Sequence, residues 1–292
     1  MKARRSTAVC RFVLVPLACL AGTATAPELF AQEIDALPTI TDRSGSASAP
    51  SGVFGALGAE ARLYLDDARS LLTTPLHWGS EDRLRAAGVV GLVGGLMIFD
   101  ERLASESQER RSSFTNRVSR ITTGLGSADA FVLSGSLLAS GIIFHERRLS
   151  LMGREAIEAS LFSGLITSIL KPAFGRQRPV TSNNETVFEP GSRNYSFPSG
   201  HSTEAFSVAS VVAARSEGWV VPTLAYTAAS FVAFDRVNDR AHFPSDVVAG
   251  AAIGVVVGRF IVHRHENAGL VASRADISLT AIPHGVGFIA RF

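Results

Sequence analysis

From about residue 84 onward, apolar positions gather into uncharged stretches separated by short charged or turn-rich segments. Their cores run over 86–99, 130–144, 159–170, 205–214, 216–234 (broken by Glu217) and 247–258. Stretches of this length without strict alternation predict helices rather than strands. Six of them predict an all-α fold, an up-down helical bundle of about six core helices with its chemistry at one end. Between the first two, Glu101 to Ile121 sets Phe114, Val118 and Ile121 at i, i+4 and i+7, the pattern of an amphipathic surface helix with a solvated arginine face. Ala59 to Leu72 also has a helical pattern, with Leu63, Leu65, Leu71 and Leu72 among charges. In the tail, Ile277, Leu279, Val286, Phe288 and Phe292 alternate around Pro283-His284-Gly285, which predicts a short hairpin.

The front of the chain reads differently. Lys2, Arg4, Arg5 and Arg11 surround a short apolar stretch, Phe12 to Ala21, followed by small residues. This is the pattern of a secretory signal, with cleavage expected after Ala31 because Pro27 disfavours the Ala24-Thr25-Ala26 site. Thr39 to Gly52 is rich in Ser, Gly, Ala and Pro and reads as a flexible linker. The expected organisation is a signal peptide over 1–31, a linker and N-terminal helical segment over 32–83, a helical domain over 84–263 and a tail over 264–292. Cys10 and Cys19 are the two cysteines of the chain and both fall in the signal, so the expected mature chain suits an oxidising compartment without disulfides or thiol catalysis.

Composition narrows the function classes. With 292 residues, 46% hydrophobic and 18% charged, there is enough apolar chain for a sizeable core. A net charge of +2 supplies no basic field for nucleic acid. No uncharged run reaches the roughly 18 residues of a spanning helix, and Glu155, Glu158 and Glu204 interrupt or flank the candidates. The expected location is therefore the cell envelope, as a periplasmic domain that is soluble or membrane-associated. An integral inner-membrane bundle with a periplasm-facing site is the alternative.

The candidate chemistry lies in three segments: Lys171 to Pro179, Ser196 to Ser202 and Asp235 to Asp246. Each flanks the end of an odd helix or the start of an even one, so an up-down bundle brings all three to the same end. Cations, two histidines and a carboxylate converge there, as an oxyanion site requires. Pro198 suits a first helical turn, after which Ser199 and Gly200 offer backbone N–H groups as a phosphate cradle. His201 is placed to give a proton to a leaving oxygen. Pro244 opens the next helix and puts Asp246 at its third position, from which it reaches back to orient His242 and leave one ring nitrogen as a nucleophile. Lys171, Arg178 and Arg236 supply the positive charge that a phosphoryl transition state needs. The chain has two lysines, Lys2 and Lys171, so a lone lysine in the mature chain marks a place where arginine would not serve.

These segments resemble the three motifs of the type 2 phosphatidic acid phosphatase superfamily, which includes bacterial acid phosphatases and vanadium-dependent haloperoxidases. The matches are Lys-x6-Arg-Pro at 171–179, Pro-Ser-Gly-His at 198–201 and Arg-x5-His-x3-Asp at 236–246. The resemblance implies His242 as a phosphohistidine-forming nucleophile, His201 as general acid and Asp246 as partner of His242. It implies Lys171, Arg178, Ser199, Gly200 and Arg236 as phosphate ligands, with no metal or other cofactor. The implied activity is a metal-independent phosphatase acting on lipid phosphates, such as phosphatidate or an isoprenyl pyrophosphate, or on small esters. A haloperoxidase carrying vanadate and a non-catalytic anion-binding or scaffold protein are the alternatives. Asp235 stands where the family usually has Ser, and a carboxylate there either orients Arg236 or competes with phosphate for it. Arg176 and Arg240 fit the pocket entrance or a solvated surface. Phe174, Phe188, Tyr195, Phe197 and Phe243 fit bundle packing better than a lipid rim, and the polar loop from Val180 to Asn194 is placed to cover the site.

Overall fold

The computed structural model describes residues 53–113, 115–117, 119, 128–181, 187–267, 276–282 and 285–291. The expected signal peptide, the linker to Gly52 and the apolar positions Phe114, Val118 and Ile121 lie outside them. Among the described residues, the main α-helices are α1 (Val53–Thr73), α2 (Ser80–Met97), α3 (Asp100–Glu109), α4 (Ala128–Ile143), α5 (Arg147–Phe174), α6 (Gly200–Arg215), α7 (Val220–Asn238) and α8 (Pro244–Asn267). A 3-10 turn, Thr74–His77, follows α1. The chain closes with the antiparallel pair β1 (Asp276–Ile282) and β2 (Gly285–Arg291), in which Asp276 faces Arg291 and Ile282 faces Gly285. Each predicted apolar core lies within or largely within one of α2 and α4 to α8, so the domain is the expected all-α bundle. The helix expected over Glu101 to Ile121 is interrupted: α3 ends at Glu109, and beyond Ser112 the described residues Ser113, Thr115–Arg117 and Ser119 are helical again.

Helix α8 is central. It packs against α6 along its length, with α5 and α2 beside it and α7, α1 and α3 touching it more lightly. The α6–α8 contact is close because Gly250, Gly254 and Gly258 recur every four residues on one face of α8. A Cβ on Gly250 would come within 2.4 Å of the Ser199 carbonyl oxygen, and one on Gly258 within 2.5 Å of the Ser207 carbonyl oxygen. Side chains on that face would hold the two backbones apart. Around this contact, Met152, Ala156, Val208, Val211, Val257 and Ile261 form one apolar cluster. Phe206, Tyr226, Ala233 and Val247 belong to a second, between α6, α7 and α8.

Helices α5 and α8 are long and apolar enough to cross a membrane, although α8 is mostly buried within the protein. Glu155 and Glu158, which interrupt α5 in sequence, point inward and are fully buried. Large apolar side chains are meanwhile exposed on α4 (Phe131, Val132, Leu133), α5 (Leu161, Leu165, Ile169) and α7 (Leu224, Phe231, Phe234).

Candidate active site

Helix α5 ends at Phe174 because Gly175 takes the left-handed conformation (φ 59°), and its N–H donates to the Lys171 carbonyl at 2.8 Å. Such an αL cap is what glycine supplies without steric cost. Lys171 is thereby held in the last turn. Its side chain lies over Gly200, where an added Cβ would sit 3.2 Å from Nζ. Burial and the charge of Arg178 push the Lys171 ammonium pKa down, against the pull of Glu204. Arg178 is exposed, on the loop that follows.

Helix α6 begins at Gly200 with Ser199 as N-cap, two residues later than a Pro198 in the first helical position would have it. Pro198 precedes the helix, across a cis Phe197–Pro198 bond. The Ser199 N–H donates to the Asp246 carbonyl at 3.0 Å, so it is committed to holding the starts of α6 and α8 together. The expectation that it cradles phosphate is corrected on this point. Gly200, His201 and Ser202 occupy the first turn of the helix, where N–H groups have no intrahelical acceptor and the helix dipole is positive. The His201 pKa is lowered to about 4 by burial, with the charges of Arg236, His242 and Lys171 adding to the effect.

Arg236 lies in the last turn of α7, and its guanidinium donates to the neighbouring Asp235 carboxylate. Both residues are buried. The carboxylate that departs from the family pattern thus pairs with the arginine. Arg240, at φ 54°, donates from its guanidinium to the Pro179 carbonyl at 2.9 Å, tying the first segment to the third.

His242 and Asp246 are 3% and 0% exposed. His242 Nδ1 faces Asp246 Oδ2 at 3.7 Å, a charge contact longer than a hydrogen bond. Nε2 is the ring nitrogen on the opposite side from Asp246. Burial pushes the His242 pKa down, Asp246 pulls it up, and Arg178 and Lys171 push it down again. Asp246 Oδ2 accepts from the Phe243 N–H at 2.9 Å, the reach-back expected of an acid in the third helical position, and from Ser196 Oγ at 2.6 Å. Although burial raises its pKa, the charges of His242 and Arg176 and the Ser196 hydroxyl hold Asp246 below the ordinary carboxylate range.

The sequence reading missed what stands behind Asp246. Arg176, expected at the pocket entrance or in solvent, is fully buried. Its guanidinium donates at 2.5 Å to Asp246 Oδ1, at 2.7 Å to Ser245 Oγ and at 2.7 Å to Asp100 Oδ2. Two carboxylates allow a buried guanidinium, which alone would carry a prohibitive desolvation cost. The rings of Phe243 and Phe188 lie 4.3 and 5.2 Å from its Cζ, so these two aromatics serve the arginine. Phe174 and Phe197 pack edge to face at 4.8 Å, while Tyr195 is exposed. The described part of the loop after Val180 is pinned to the first segment. Gln177 N–H donates to the Val187 carbonyl at 3.2 Å, and Glu189 N–H to that of Gly175 at 3.0 Å.

Lys171, Arg178, Arg236, His201 and His242 therefore share one electrostatic environment at the end of the bundle where α5 and α7 finish and α6 and α8 begin. Residues 154–270 match the family model of the PAP2 superfamily. Among curated proteins, the chain is 34% identical over 108 residues to the lipid A 1-phosphatase of Porphyromonas gingivalis, covering 36% of this chain and 21% of that protein. It is 35% identical over 111 residues to the lipid A 1-phosphatase of Rhizobium etli, covering 36% of this chain and 47% of that one. The chain thus spans less than half the length of either relative. The solved structure of Aquifex aeolicus LpxE aligns with a TM-score of 0.40 at 20% identity, over 56% of this chain and 94% of that structure.

Proposed function

We propose that the protein is a phosphatase that removes phosphate from a phosphorylated lipid through a phosphohistidine on His242. The observation that carries this reading is the set of three cations and a helix N-terminus gathered around a buried histidine whose Nδ1 faces a carboxylate. Nε2 attacks phosphorus, the P–N bond forms, and the P–O bond to the leaving alcohol breaks. His201 gives its proton to that oxygen. Water then attacks the phosphohistidine, His201 takes its proton, the P–N bond breaks and inorganic phosphate leaves. Lys171, Arg178, Arg236 and the first-turn N–H groups of α6 neutralise the equatorial oxygens as charge builds. In this reading the cations serve where a metal ion serves in other phosphatases.

His201 is neutral at neutral pH without a substrate, because burial and its cationic neighbours favour the neutral ring. A phosphate dianion among those cations offsets them, so in this mechanism substrate binding brings the proton that the leaving group needs. The names of the relatives support a phosphorylated lipid of the lipid A class as substrate. The apolar side chains exposed along α4, α5 and α7 support association with the membrane that holds such a lipid.

The test is phosphate release by the purified chain, with chelator present, from lipid A, phosphatidate, an isoprenyl pyrophosphate and an aryl phosphate. The reading predicts release from at least one lipid that chelator does not reduce. It also predicts a loss of at least about a thousandfold in His242→Ala, the scale seen when a catalytic nucleophile is removed. Equal release by the variant contradicts it.

A further inference from the structure

We infer that Asp100, at the start of α3 and outside the segment matched by the family, is a positioning residue that acts on His242 through Arg176 and Asp246. The inference rests on the phosphatase reading only in calling the site catalytic. Asp100 is fully buried, and its carboxylate accepts from three donors on two other segments. These are Ser245 N–H at 2.9 Å on Oδ1, and Arg176 at 2.7 Å and the Ser245 hydroxyl on Oδ2. Ser245 is the residue before Asp246, so Asp100 grips the first turn of α8 directly and the guanidinium that faces Asp246 at the same time.

The arrangement is a relay of alternating charge: Asp100, Arg176, Asp246, His242. The guanidinium fork, fixed between Phe243 and Phe188, spans the two carboxylates, leaving Asp246 Oδ2 for Ser196, the Phe243 N–H and His242. Asp100 draws part of the Arg176 charge away from Asp246, and so sets how strongly Asp246 favours the protonated form of His242. The other charged groups around His242 are Lys171 from α5, Arg178 from the loop after it, His201 from α6, and Asp235 and Arg236 from α7. None of these touches Asp100 in the described contacts, so a change at Asp100 reaches His242 by way of Arg176 and the start of α8.

The experiment follows the His242 imidazole by NMR in the full chain labelled with ¹⁵N-histidine, in the wild type, Asp100→Asn, the double variant Asp100→Asn/Arg176→Gln, and Ser245→Ala. Asp100→Asn removes a negative charge and is expected to move the His242 titration to lower pH by on the order of half a unit. The double variant also removes the cation from Asp246, and is expected to move it to higher pH than wild type. Ser245→Ala perturbs the same network without changing charge and is expected to leave the titration in place. Opposite shifts follow from the relay and not from mere loosening of the fold. Shifts of the same sign, or none, in folded variants overturn the inference. If Asp100→Asn does not fold, the double variant decides alone: an upward shift supports the relay and an unchanged titration overturns it. The measurement needs no substrate, so shifts of the expected sign in a protein that releases no phosphate would sink the phosphatase reading and leave the relay standing.

Discussion

Glu204 is a carboxyl that the proposed reaction does not use. It lies three residues beyond His201 on α6 and faces Gly164 of α5, where an added Cβ would sit 3.6 Å from Oε1. A Cβ there would make an ordinary contact with the acid, whereas at Gly200 it would crowd the Lys171 ammonium. Glu204 Oε2 is buried without a hydrogen-bond partner among the described residues. Burial raises its pKa to about 7, with Lys171 pulling the other way. A carboxyl whose folded pKa lies above its unfolded value contributes stability that is fully present below the unfolded value, near 4.5, and is lost as pH rises through 7. Between pH 4.5 and 8 the wild type is therefore expected to lose several degrees of Tm relative to Glu204→Gln, measured by thermal melts across that range. Parallel Tm curves for the two proteins would contradict this.

At the same scale, the residues proposed to carry the chemistry could be picked out of the sequence and their supports could not. Lys171, His201, His242 and Asp246 stand out because their neighbours, prolines and a glycine among them, mark helix ends. Asp100 follows an apolar run and looks like any acid in a first helical turn. Arg176 looks like any arginine in a loop. Their burial depends on each other, and a pairing across 76 residues leaves no local trace.

Among the elements, the six apolar cores could be read because each is an uncharged stretch without strict alternation, although on α2, α4, α5 and α7 much of that apolar surface is exposed rather than buried. The boundaries were less legible. Glu155 and Glu158 look like interruptions of α5 until they are seen to meet residues on other helices. The glycine face of α8 is legible only in retrospect, since it matters through what approaches it. A methyl on Gly254 would lie 2.3 Å from the Thr203 carbonyl oxygen, and backbone cannot yield as a side-chain end can. Gly254→Ala is therefore expected to push α6 from α8, lower stability by about 1–3 kcal/mol, and lower kcat by slackening the Ser199–Asp246 tie. Gly91→Ala on α2 has open space around the new methyl and is expected to leave stability equal or slightly raised. Denaturant melts and turnover of the two variants check this, and equal behaviour would contradict the account of the α6–α8 contact.

Across the whole molecule, charge is sorted to the two ends of the bundle. At the end opposite the candidate site, His265 is buried with Nδ1 at 3.0 Å from Glu155 and Nε2 at 3.0 Å from Asp67. Arg215 forks onto both Glu155 oxygens at 2.7 Å, and Arg264 donates to Asp67. Glu158 also lies 3.4 Å from His265 Nε2, and the network ties α1, α5, α6 and α8 together at that end. At the other end Lys171 and Arg178 lie with Arg236, which pairs with Asp235, and with Asp246, which pairs with Arg176, around two histidines whose pKa values burial lowers.

The central claim, a covalent step at His242, is tested most directly by acid-free quenching of the enzyme during turnover of a ³²P-labelled lipid phosphate, followed by peptide mapping. The account predicts label that is stable to alkali, lost in acid, and confined to the peptide carrying His242. It also predicts more label in His201→Ala than in wild type when an aryl phosphate with a good leaving group is used, because breakdown then lacks its base. Turnover without any labelled peptide, or label on another residue, would contradict it.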